Sequence, residues 1–206
     1  MYVPKHFEET RPEELARIIR AHPLGMLVTS GAGGLDANHI PFEFDPAVGS
    51  HGVLTAHVAR ANPVWQECPT GSKVLVVFRG AEAYISPNWY PSKHETHRLV
   101  PTWNYVVAHA YGSLRVIEDP TWLRSHLEEL THHKESGFPE PWTMADAPKD
   151  YIERLLAGIV GLEIEISRIE GKWKVSQNQP EGNRDGVVAG LCGLGRADAA
   201  ALIRRD

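Results

Sequence analysis

The chain has 206 residues, 42% of them hydrophobic and 23% charged, a balance ordinary for a globular protein with a sizeable core. Its net charge of −5 excludes a surface built to neutralise many phosphates, so nucleic-acid binding is not written in the charge. No run of about 18 apolar residues occurs, and MYVPKHFEET lacks the charged-then-apolar pattern of a secretory signal, so no membrane span and a cytoplasmic location are expected.

Thr10 and Glu13 bracket Pro12 as a capping box, and Leu15, Ile18 and Ile19 make a short apolar face. Together they predict a helix over 12–21, ended by His22-Pro23. LGMLVTS, the Gly-rich GAGG at 31–34 and LDANHIPFEFD predict a hairpin, with Pro41 marking an edge or a bulge. GVLTAHV at 52–58 is a further strand. KVLVVFRG at 73–80 and AEAYIS at 81–86 predict a tight strand pair around Gly80, and residues 104–119 a bent strand broken at Gly112. Asp119 as N-cap ahead of Pro120, with Leu123, Leu127 and Leu130 on one face, predicts a helix over 121–135, and a second helix follows at 148–159. LEIEISRIEGKWKVSQ at 162–177 predicts a half-buried hairpin about Glu170-Gly171, and an Ala-rich helix closes the chain near 196–205. Cys68 and Cys192 read as ordinary buried thiols. No repeat or polar linker divides the chain, which predicts one domain, least regular at 135–148. The class is α+β, mainly antiparallel β: a small barrel or sandwich with flanking helices.

Residues 84–105 hold five of the chain's twelve Tyr and Trp, with prolines at 87, 91 and 101 that forbid a long helix or a central strand. Each ring buries roughly 150–250 Å² when covered, either by a satellite core or by a bound molecule. In HVARANPVW at 57–65, Asn62 before Pro63 is a good helix start, and free N–H groups there with Arg60 and His57 one step earlier would make an anion cradle suited to a phosphate monoester. The alternative is a plain turn with Arg60 in solvent. A phosphate cradle beside aromatic rings suits a flavin mononucleotide, with Asn38 and His39 facing the polar ring edge and Lys93 adding charge.

MYVPKHF, HVARANPVW, YISPNWY, VPTWNY and KVSQNQPEGNRDGVVAGL, in this order and over nearly the whole chain, resemble the PaiB-type FMN-binding negative transcriptional regulators. The resemblance implies a Greek-key split β-barrel of the pyridoxamine-phosphate-oxidase and flavin-reductase kind, with flanking helices and a C-terminal helical extension. It also implies a homodimer with FMN between subunits. It carries the phosphate role onto His57, Arg60 and Asn62, and sets the ring edge beside Asn38, His39 and Ile40. His109 would reach across the dimer, Gln177 and Asn178 would close over the flavin, and Trp103 would contact the ring. The regulatory label implies DNA as a partner, direct or through another protein, although no helix-turn-helix with a basic recognition face is evident.

Two other functions stay open: an FMN-dependent oxidoreductase, and haem binding or breakdown with His6, His94, His97 or His109 on the iron. The pairs His94/His97 and His132/His133 lack the Cys or carboxylate partners of a recognised metal spacing, so no metal site is expected. GLCGLG at 190–195 has no following Lys-Ser/Thr and is not a nucleotide loop.

Overall fold

In the computed structural model, which describes residues 1–203, the elements run β1 (Glu8–Glu9), α1 (Pro12–Ala21), β2 (Leu24–Gly31), β3 (Gly34–Pro41), β4 (Glu43–Asp45), β5 (Val53–Ala59) and α2 (Val64–Glu67). They continue with β6 (Lys73–Ile85), α3 (Lys93–Thr96), β7 (Thr102–Ile117), α4 (Pro120–Glu135), α5 (Lys149–Ala157), β8 (Ile159–Lys174), α6 (Glu181–Gly193) and α7 (Ala197–Ile203). The strands form one sheet in the order β3-β2-β6-β7-β8-β5-β4, with β1 added on β8. The chain gathers into two compact units: Met1–His22, Phe78–His109 and the stretch from Glu170 on make unit 1, and Pro23–Val77 with Ala110–Ile169 make unit 2. Each unit is assembled from separate stretches of sequence.

In unit 2 the hairpin β2–β3 closes through Gly34, whose φ of 101° only glycine adopts without strain. The antiparallel register sets Met26 opposite His39 and Leu27 opposite Asn38, and β2 pairs on its other side with Val76 and Val77 of β6. β5 lies between β4 and β8, with Phe44 opposite Leu54 and His57 opposite Gly161. Alternation buries Leu54, Ala56 and Val58 with Leu27, Phe42, Val76, Leu162 and Ile164, the inner layer of a sheet with one dry face. β3 and β5 stand five places apart in the strand order yet approach each other, so this sheet curls back on itself as a split barrel does. Pro41 sits on β3, an end strand, where the ladder can spare its missing N–H. α4 and α5 pack through Leu123, Ile152 and Leu156.

In unit 1, α1 buries Leu15, Ala16, Ile18 and Ile19 at the spacing the sequence shows, and Glu9 pairs with Gly171 across β1 and β8. α6 and α7 bury Val187, Leu191, Ala199 and Ile203.

Several sequence expectations need correction. α1 has no capping box: its N-cap is Arg11, which makes no side-chain cap, and Glu9 accepts from the Arg11 backbone and guanidinium instead. β6 is one strand through Gly80, not a pair. A side chain at that glycine would press within 3.3 Å of Ile18 of α1, so the residue marks a close approach. β8 is likewise continuous through Gly171, where an added Cβ would lie 2.6 Å from Leu15. β7 is unbroken at Gly112, whose missing side chain lets Glu165 of β8 come near. α6 was not foreseen. The closing helix is seen as Ala197–Ile203, and the end of the expected 196–205 span lies outside the described residues. Cys68 is buried as expected, but Cys192 is exposed. Among the described residues no helix is long and apolar enough to cross a membrane.

Candidate functional site

The end of β5 delivers Arg60, Ala61 and Asn62 into the turn before α2. Asn62 Oδ1 accepts from Val64 N at 3.0 Å, and Asn62 Nδ2 donates to Asn38 Oδ1 on β3 at 2.9 Å. Asn38 Nδ2 in turn donates to Asp36 at 2.7 Å. Three side chains thus fasten the β5 turn to the end strand β3. α2 is a single turn of four residues, so it offers little of the summed dipole that a longer helix would aim at an anion.

Arg60 is exposed, its side chain 40% accessible, and its guanidinium is bonded within the chain. Its Nη1 donates to Glu118 at 2.6 Å, Nε to Ala157 O at 3.1 Å and Nη2 to Ile159 O at 3.2 Å, while its backbone N donates to Gly158 O. The guanidinium therefore joins the β5 turn to the α5–β8 junction. It also borders a cavity of about 410 Å³ with Arg124, Glu118, Glu153 and Leu156.

His57 points elsewhere. Its Nδ1 lies 3.2 Å from His126 Nε2 on α4, and His126 stacks on Trp122 with ring centroids 5.1 Å apart and planes at 10°. Trp122 in turn lies over Gly161, where any Cβ would meet the ring at 2.4 Å. Burial pushes both imidazoles below their ordinary range, His126 to about 4, so the pair is neutral and one ring donates to the other.

In unit 1 the aromatic segment divides. Trp89 packs on α6 at Gly186 and Gly190, and Tyr90 is buried, so these two rings belong to the protein's own core. Tyr105 faces the ammonium of Lys172 at 5.3 Å. Tyr84 and Trp103 stay 48% and 54% exposed, edge to face at 6.0 Å. Lys93 donates to Asn88, and His109 is half-buried with its pKa lowered by burial and by the chain's amino terminus. Gln177 turns back on its own backbone, accepting from Val175 N and donating to Trp173 O. Asn178 borders a cavity of about 240 Å³ with Tyr90, Thr102, Asn104, Lys174 and Ser176.

Unit 2 therefore brings Asn38 and Asn62 together and sets Ile40, buried, and His39, exposed, on the same strand. Two groups went unforeseen. His126 could have been found from its place on the apolar face of α4, three residues after Leu123. Asn104 could have been found as a polar residue within the apolar strand NYVVAHA. Among the described residues no three His, Cys, Asp or Glu side chains gather to hold a metal.

The donor set of unit 2 suits a flavin ring edge. β3 ends the sheet, so one row of its backbone N–H and C=O groups is not taken by β2, and Asn38 and Asn62 each carry a second amide hydrogen beyond those used above.

Residues 1–168 match the family described as "Putative FMN-binding domain". The chain is 34% identical to the protease synthase and sporulation protein PAI 2 of Bacillus subtilis over 93% of this chain and 89% of that one. It is 37% identical to a protein of Emericella nidulans over 98% and 94%. Among solved structures, the FAD and haem binding protein of Mycobacterium smegmatis superposes with a TM-score of 0.58 at 20% identity, covering 89% of this chain and 80% of that one. A flavocytochrome of Azotobacter vinelandii gives 0.57 at 11%, covering 84% and 72%. The fold is that of the split-barrel flavoproteins, the cofactor is FMN, and the chain belongs to the PaiB-type FMN-binding family.

Proposed function

We propose that the chain is a PaiB-like negative transcriptional regulator that works in the cytoplasm as a homodimer, with FMN held at the subunit interface. The Bacillus subtilis relative carries a name that ties it to protease synthesis and sporulation, and its identity over 93% of this chain supports a regulatory output here. The observation that carries the cofactor's place is the bonded pair Asn38–Asn62, which fixes a polar corner against the unpaired edge of β3. Asn38, His39 and Ile40 would meet the ring edge through backbone and amide groups. Asn62, with Arg60 and His57 behind it, would stand toward the phosphate. Bound there, FMN supplies reversible electron transfer. The chain's own residues bind the ring, orient it and exclude water.

Uncovered apolar surface supports the dimer. Trp103 and Tyr84 are about half exposed in unit 1, and Leu35 on the end strand β3 is 81% exposed in unit 2. Lys93, Trp103 and His109 would then meet a flavin held by the other subunit. Light scattering after gel filtration should give twice the monomer mass, and Trp103→Ala should shift the chain toward monomer while leaving its preference for FMN over riboflavin intact. A monomeric parent would remove the interface. The acidic chain makes a broad electrostatic grip on DNA weak, so output goes through a local contact or a partner protein. A gel shift with the chain's own upstream DNA at physiological salt tests this, and absence of a salt-resistant specific shift would remove direct DNA contact.

A further inference from the structure

Within unit 2 the irregular segment after α4 turns back along that helix and encloses a cavity of about 380 Å³. One wall is a stripe of α4 itself. Glu128, Thr131, His132 and Glu135 stand at i, i+3, i+4 and i+7, the spacing that sets side chains on one helix face. Pro141, Trp142 and Met144 make the facing wall, which is tied down: Trp142 N donates to Glu135 at 3.0 Å, Thr143 N and Oγ1 donate to Asp146, and Met144 packs on the Leu123–Ile152–Leu156 cluster. Among the described residues no Lys or Arg lines the cavity. His133 and Lys134, beside the stripe, both reach Glu43 on β4 instead, while Glu128 has no ion pair or hydrogen bond among the described residues. Trp142 stays 43% exposed, so part of its indole is uncovered.

An indole face and two carboxylates around an apolar floor are what an organic cation requires: the ring and the acids attract the charge, and the apolar wall covers the body. The volume falls within the ~300–1,000 Å³ of small-molecule sites, which favours a free ligand over a protein segment. We propose that this cavity is a second ligand site that binds a small organic ammonium, a primary amine with a ring or short aliphatic body. Its charge lies between Glu128 and Glu135, and its body rests on Trp142 and Met144. None of these residues belongs to the flavin corner, and the site does not depend on the regulatory reading.

Calorimetric titration of the FMN-loaded protein with 2-phenylethylammonium, and with benzoate as an anion of similar size, at constant ionic strength set by sodium chloride, tests this. One ammonium is expected to bind per chain, and benzoate is expected not to bind. Glu128→Gln should weaken the ammonium by roughly threefold to tenfold through the lost charge, and Trp142→Leu by about fivefold through the lost ring face. Both positions are exposed, so the variants should fold and keep the parent's FMN affinity. No saturable binding of the ammonium, equal affinity for benzoate, or parent-like binding by both variants would overturn the proposal. Binding of a tetralysine peptide without binding of the ammonium would also overturn it, and would assign the face to a basic partner protein.

Discussion

Lowering the pH from 7 to 5 should destabilise the chain by about 2 kcal/mol through His126 alone, approaching about 3 kcal/mol by pH 4. The cause is geometric. His126 is 5% exposed, stacked on Trp122 and within 3.2 Å of His57, so a proton on either ring would place a charge in a dry site beside its neighbour. Glu43 on β4 favours the charged form, but burial outweighs it and sets His126 to about 4. The folded-state value is thus depressed below the unfolded value near 6.5, and the unfolded chain binds more protons across that window. Stability is full above about pH 7 and falls as pH drops toward 4. His57 moves in the same direction and adds to the loss. Denaturant midpoints measured at pH 8, 7, 6 and 5 check this. His126→Phe, which keeps a flat ring on Trp122, should flatten the profile, and a parent equally stable at pH 5 and 7 would show that the rings are open to water.

Gly186→Ala should destabilise the protein by about 1–3 kcal/mol, even though alanine is about 1 kcal/mol better than glycine inside a helix. A Cβ at residue 186 would sit 1.9 Å from the carbonyl oxygen of Trp89, a backbone atom that cannot rotate aside. One turn on, Gly190 leaves room for the Trp89 indole itself, at 2.3 Å from the same kind of added atom. The two glycines make a flat track on α6 against which the 86–91 turn seats, so the turn would have to lift and expose Tyr90. Gly182→Ala is the control, since open space surrounds that position, and it should be neutral or stabilising. Thermal melts of the two variants should move in opposite directions. Equal shifts would mean that α6 and Trp89 are not packed as described.

Local signals carried part of the fold. Asp119-Pro120 with leucines at helical spacing gave α4 to within a residue at its start, because cap and periodicity act within one turn. Gly80 and Gly171 misled because glycine marks both turns and close approaches. What decides between them is the residue across the gap, Ile18 or Leu15, far away in sequence. The candidate site shows the same division. Asn38 and Asn62 stood out by type and position, but the bond between them depends on the curl that brings β3 to β5. The bonds of Arg60 to Glu118, Ala157 and Ile159 were not legible, because those partners come 58 to 99 residues later. The strained backbone of Ser176 left no mark in the sequence at all.

The account rests on a flavin seated at the corner where the β5 turn is fastened to β3. Quenching of FMN fluorescence on titration with the parent chain and with Asn62→Ala tests it most directly. The parent should saturate at one FMN per chain. Asn62→Ala, which removes the link to Asn38 and the turn's own Val64 bond, should bind about tenfold or more weakly while riboflavin affinity falls less. Equal FMN affinity in the parent and a folded Asn62→Ala would contradict the account.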